Sequence, residues 1–253
     1  MSNKMDGFEC VICECVKETL KEHTEVLKSN LKIEEWLYPY INACVSNKLK
    51  NNTIKRLGQG RVFIWDEIKP DFILETDRDL ILGELKLGES INNLMFGYQA
   101  RKEKRREKLF KKLAEIVQEV QEDKQDKDLF GVKLCDRKAK GKKKISDGFL
   151  IDILKLRDII LYKLCEEKDK KDKKNIYSVA IGVTLFKKEY EGCINELREK
   201  LNKGIGKVLK DEEILLLNLN SENEPLAKSI NKSIKYTLNI EPNNDFILFK
   251  CYL

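Results

Sequence analysis

The sequence predicts an α/β fold in which helices flank one mixed sheet, and three observations predict it. Apolar residues recur every three or four positions through the first 50 residues, as in amphipathic helices. Between residues 61 and 87 the period shortens to two, with a polar break at Thr76-Asp77-Arg78, the pattern of paired strands. Residues 176–186 (IYSVAIGVTLF) are almost continuously apolar between charged flanks, as in a central strand covered on both faces. Alternating helix and strand patterns indicate helices layered on a sheet. The 253 residues suit a single domain with a substantial core. Its expected parts are a helical N-terminal segment (1–50), a central hairpin with its following helix (61–122), and the remaining sheet and helices (146–253).

Each element has its own signal. Residues 7–28 carry Phe8, Val11, Ile12, Cys15, Val16, Leu20, Val26 and Leu27 at helical spacing. A second helix is expected from Leu31 to about Leu49, with Ile33, Trp36, Leu37, Ile41, Cys44 and Val45 as its apolar stripe and a kink at Pro39. Gly58 and Gly60 read as turn residues, and Arg61–Ile68 as a first strand. Two further strands, Ile68–Glu75 and Asp79–Leu87, form a hairpin across the Thr76–Arg78 turn. Ser90 caps a helix running to about Glu122, and another helix begins at Ser146. After the central strand come a helix over 189–209, weakened by Gly204 and Gly206, and a buried strand over 213–218. Pro225 opens a helix to about Leu238, and 246–252 is a last strand. No internal repeat is present.

The chemistry concentrates in the hairpin. Alternation puts Leu80, Leu82, Glu84 and Lys86 on one face of their strand and Ile81, Leu85 and Leu87 on the other. Glu84 and Lys86 therefore emerge side by side on an otherwise apolar strand. Pro70 marks the entry of the partner strand, where its missing N–H does little harm. A tight hairpin then brings Asp71 to the Glu84–Lys86 end. Two carboxylates and an ammonium suit Mg2+ or Mn2+, hard cations that take one or two carboxylates and keep several waters. Lys86 would orient or help deprotonate the attacking water.

Pro70-Asp71, twelve intervening residues and Glu84-Leu85-Lys86 resemble the core motif of the PD-(D/E)XK nuclease superfamily, which includes restriction endonucleases, Holliday-junction resolvases and RecB-like nucleases. The resemblance covers residues 30–120 in pattern and a few residues in identity. It implies a restriction-endonuclease-like sheet, with Asp71 and Glu84 as metal ligands and Lys86 as the catalytic lysine. Members often add a glutamate from the preceding helix. Glu34 and Glu35 are the candidates, and Glu34 lies on the apolar arc with Ile33, Leu37 and Ile41. Glu75 is a further candidate, and Asp66 or Glu67 would replace Asp71 in another register. RecB-like members carry a Gln on the helix after Glu-x-Lys and a Tyr four residues later. Gln99 matches the first, whereas Glu103 stands at the second.

Charge supplies the expected grip on DNA. The net charge of +6 is mild, but it is unevenly spread. Residues 101–108 hold six positive charges: Arg101, Lys102, Lys104, Arg105, Arg106 and Lys108. Residues 133–144 hold seven basic residues against one acid, among them Lys138, Lys140, Lys142, Lys143 and Lys144. Such segments contact phosphates rather than read bases. A blunt double-strand cutter would be expected to act as a homodimer.

Other classes are disfavoured. The chain has one histidine, His23, which argues against histidine triads and zinc centres. No phosphate-cradling or dinucleotide fingerprint appears. No run of about twenty apolar residues predicts a membrane span. Acids and cysteines fill residues 1–20, where a secretory signal needs an apolar core, so a cytoplasmic location is expected. Cys10, Cys13 and Cys15 lie close together, but at helical spacing they read as reduced thiols near an apolar face. Iron–sulfur members of the family place one cysteine before the core and three after it, unlike this chain.

The sequence thus predicts a Mg2+-dependent deoxyribonuclease, an endonuclease of restriction, repair or virus/mobile-element type. The alternative is a non-catalytic nucleic-acid-binding or assembly protein on a nuclease-like core. A third reading is a partner-binding protein with no nucleic-acid role.

Overall fold

Six strands form one sheet in this computed structural model, which describes residues 8–23, 33–49, 56–58, 70–88, 91–96, 148–168, 173–186, 188–192, 194–210 and 223–253. They are β1 (Arg56–Gly58), β2 (Phe72–Glu75), β3 (Asp79–Gly88), β4 (Asn175–Leu185), β5 (Thr237–Pro242) and β6 (Phe246–Tyr252). Their order is β1-β2-β3-β4-β6-β5. The β3–β4 pair is parallel and every other pair is antiparallel, so the sheet is mixed. The predicted α/β class and the central strand at 176–186 are both found. β4 lies between β3 and β6 and is buried on both faces.

Two helical layers cover the sheet. On one face lie α1 (Phe8–Glu22) and α2 (Ile33–Leu49). In α1, Ile12, Cys15, Val16, Thr19 and Leu20 are buried at the spacing of one helical stripe. They join Leu37, Tyr38, Ile41 and Val45 of α2 against Phe72, Leu74, Ile81, Leu85, Val179, Ile181 and Val183. The other face carries α3 (Ile91–Phe96), α4 (Phe149–Glu166) and α5 (Ile194–Lys210). α6 (Asn223–Asn231) packs Ala227 against Leu161 and Cys165 at the far end of α4. α4 is buried nearly all round, and the buried set includes Asp152, Arg157 and Asp158 among its apolar residues. Its Arg157 and Asp158, both fully buried, meet as an ion pair at 2.7 Å.

Several boundaries differ from the sequence reading. α2 itself matches the expected helix and contains Pro39. The strand beside β2 comes from Arg56–Gly58, which the glycine marked as loop, because free backbone groups on the edge of β2 pair with any extended segment. α5 starts at Ile194 and passes through Gly204 and Gly206. The helix opened by Pro225 stops at Asn231, where Ser233 N and Oγ both donate to Ile230 O. Residues 237–242 then form a strand, with Leu238 and Ile240 inward. It turns at Asn243, whose Oδ1 accepts from Asp245 N (2.8 Å) and Phe246 N (2.7 Å). The strands expected at 61–68 and 213–218, and the helix beyond Phe96, lie outside the described residues.

Candidate active site

The site begins with a turn. Thr76 Oγ1 accepts from Arg78 N at 3.2 Å and Asp79 N at 2.9 Å, while Thr76 N donates to Asp79 O at 2.9 Å. This closes the hairpin at the polar break that the sequence marks, and fixes its register with Phe72 opposite Gly83. One step further Asp71 stands across from Glu84. Leu85 N donates to Asp71 Oδ2 at 2.9 Å, which fastens that carboxylate to β3.

Glu84 projects from β3 on the same face as Leu82, toward α4. The N-terminus of α4 is seated by a glycine. A Cβ on Gly182 of β4 would lie 2.9 Å from Phe149 Cδ2, so the ring packs where a side chain would otherwise stand. Gly182 is the register partner of Lys86, so this seat delivers the first turns of α4 to the half of β3 that carries Glu84 and Lys86. Gly88 does the same for α3, because a Cβ there would come within 2.5 Å of Leu94 N.

From α4 come Asp152 and Lys155, three residues apart and so on one side of the helix. The Lys155 ammonium forms an ion pair with Glu84 Oε1. Charge and hydrogen bonding both couple the two groups. Glu84 is 3% exposed, and burial pushes its carboxyl well above the ordinary range. Asp71 and Asp152 push in the same direction and Lys155 opposes them. Burial alone would lower the Lys155 ammonium, but Glu84, Asp152 and Asp71 outweigh it and hold the group above its usual value. Burial dominates the shift of Glu84, whereas the surrounding carboxylates dominate that of Lys155.

The structure thus brings together Asp71 and Glu84, as the sequence predicts, and places Lys86 half-buried two residues beyond Glu84 on the same strand face. It does not bring Glu75. That residue sits opposite Leu80 at the turn end of the hairpin and forms an ion pair with Lys174. Glu34 and Glu35 lie in the first turn of α2, which packs on the opposite face of the sheet through Leu37, Tyr38, Ile41 and Val45; their side chains lie outside the described residues. Asp152 is the further carboxylate among the described residues. Sequence reasoning missed Asp152 and Lys155; the available signal was that four charged residues, Asp152, Lys155, Arg157 and Asp158, interrupt the otherwise apolar stretch 149–161. Asp66, Glu67, Gln99 and both basic segments, including Arg101, Lys102, Lys104, Arg105, Arg106, Lys138, Lys140, Lys142, Lys143 and Lys144, lie outside the described residues.

The cysteines stand apart from this chemistry. Cys13 and Cys15 are buried thiols outside any disulfide, and burial pushes the Cys15 thiol up, with Cys44 beside it adding to the effect. The side chain of Cys10 lies outside the described residues.

Among the described residues no three His, Cys, Asp or Glu side chains close into a metal cage. The donor chemistry nevertheless fits a hard divalent cation. Asp71, Glu84 and Asp152 act on one another and on Lys155, and carboxylate oxygens are the donors such a cation takes. No helix among the described residues is long and apolar enough to cross a membrane. Comparison with protein-family models, curated proteins and solved structures gives no match.

Proposed function

We propose that this protein is a metal-dependent nuclease that hydrolyses DNA phosphodiester bonds, an endonuclease built on a restriction-endonuclease-like core. One observation carries the reading: Asp71 is fastened across from buried Glu84, with Lys86 next on the same strand face. Asp71 and Glu84 would hold Mg2+ or Mn2+, and Asp152 would add negative charge from α4. A divalent ion there supplies charge stabilisation to the phosphate and acidifies water. Lys86 orients the attacking water and takes part in its deprotonation. β3 and β4 run parallel, and the site lies toward their carboxyl ends, where open α/β sheets bind ligands. The basic segments at 101–112 and 133–144 grip the DNA backbone.

A second reading has its own observation. Lys155 already balances Glu84, as in a nuclease-like core that binds nucleic acid without cutting it. Asp71→Asn separates the two. Under the nuclease reading it abolishes Mg2+-dependent cutting of plasmid while salt-sensitive DNA binding persists. Under the second reading neither protein cuts, and binding is equal.

A further inference from the structure

Two buried ion pairs sit on α4, and they are built differently. Arg157 holds Asp158 Oδ1 with two aligned donors, Nε at 2.9 Å and Nη2 at 2.7 Å, and neither side chain is exposed. Lys155 meets Glu84 through a single contact, its ammonium on Oε1. The Lys155 side chain is 21% exposed against 3% for Glu84, so the pair has partial access to solvent on the lysine side. The first pair is a fixed fork, as guanidinium geometry favours. The second is a point charge on a flexible four-carbon stem.

We propose that Lys155 is the resident counter-ion of this site in its metal-free state, and that a divalent cation binds at Asp71 and Glu84 by displacing its ammonium. The inference rests on the reading of Asp71 and Glu84 as metal ligands, and adds a lysine-closed state and a metal-loaded state. Breaking a buried ion pair is costly, so Lys155 is out in only a small fraction of metal-free molecules, and an arriving cation captures that fraction. Asp152, one turn earlier on the same helix, offers the released ammonium a carboxylate at i, i+3 spacing. Departure of Lys155 therefore needs a side-chain rotation and no movement of α4. The lysine sets a threshold: the apparent metal affinity is the intrinsic affinity reduced by the small fraction of molecules in which Lys155 is out.

The test is Mn2+ affinity by titration calorimetry on the full chain. If Lys155 is out in about a tenth of molecules, Lys155→Met should bind Mn2+ about tenfold more tightly than wild type. Asp71→Asn and Glu84→Gln should lose binding. Unchanged or weaker binding by Lys155→Met, with binding lost in the other two variants, overturns the counter-ion role and leaves the metal site standing. Unchanged binding in Asp71→Asn and Glu84→Gln overturns both. A second measurement needs no variant: reductive methylation of wild-type lysines, read by mass spectrometry, should label Lys155 several-fold more when Mn2+ is present. Equal or lower labelling overturns the proposal.

Discussion

Leu85 N donates to Asp71 Oδ2 at 2.9 Å, so the strand that carries Glu84 also holds the carboxylate opposite it. The pair separates two roles of Asp71, acceptor and charge. Asp71→Asn keeps an oxygen for Leu85 and should leave Tm within about 2 °C of wild type while cutting is lost. Asp71→Ala also gives up a charged hydrogen bond and should lower Tm by about 3–6 °C. Thermal melts beside a plasmid assay check both.

The seat of α4 gives a second prediction. Gly182→Ala places a methyl 2.9 Å from Phe149 Cδ2. Overpacking of this kind costs roughly 1–3 kcal/mol, and it also pushes the helix that carries Asp152 and Lys155. Stability and activity should fall together. Gly204→Ala is the control: nothing lies within 4 Å of a Cβ there, and alanine inside a helix should gain roughly 0.5–1 kcal/mol. Denaturant midpoints of the two variants should move in opposite directions.

The pH dependence of the metal-free protein follows from Glu84. Its folded-state carboxyl is raised by burial and by Asp71 and Asp152, so above the unfolded value of about 4.3 the native state binds the extra proton. Stability should therefore fall as pH rises from about 5 toward neutrality. Lys155 is raised, so its contribution is present throughout this window and is lost only at alkaline pH. Glu241 is lowered by Lys17 and Lys250 against the effect of burial, so its contribution is lost below this window, as pH falls. Glu84→Gln should flatten the slope. A pH series of thermal melts in EDTA reads it, and a slope equal to wild type would contradict the assignment.

What the sequence made legible was local. The Thr76 turn, the alternation that puts Leu82 and Glu84 on one face, and the doubly covered β4 are encoded within a few residues of where they act. β5 was lost because Thr237–Pro242 follows a helical pattern, and its strand state depends on pairing with β6. Asp152 and Lys155 were lost for a longer-range reason. Their approach to Glu84 requires β4 to lie parallel to β3 and Phe149 to find the gap over Gly182, neither of which is written near residue 152.

The most direct test of the nuclease reading is cleavage of supercoiled plasmid and single-stranded DNA by wild type and Lys86→Ala, each with Mg2+, Mn2+ or EDTA. The account predicts cutting by wild type with either metal, none in EDTA, and loss of about a hundredfold or more in Lys86→Ala with DNA binding retained. Equal cutting by the variant, or no metal-dependent cutting by wild type, would contradict it.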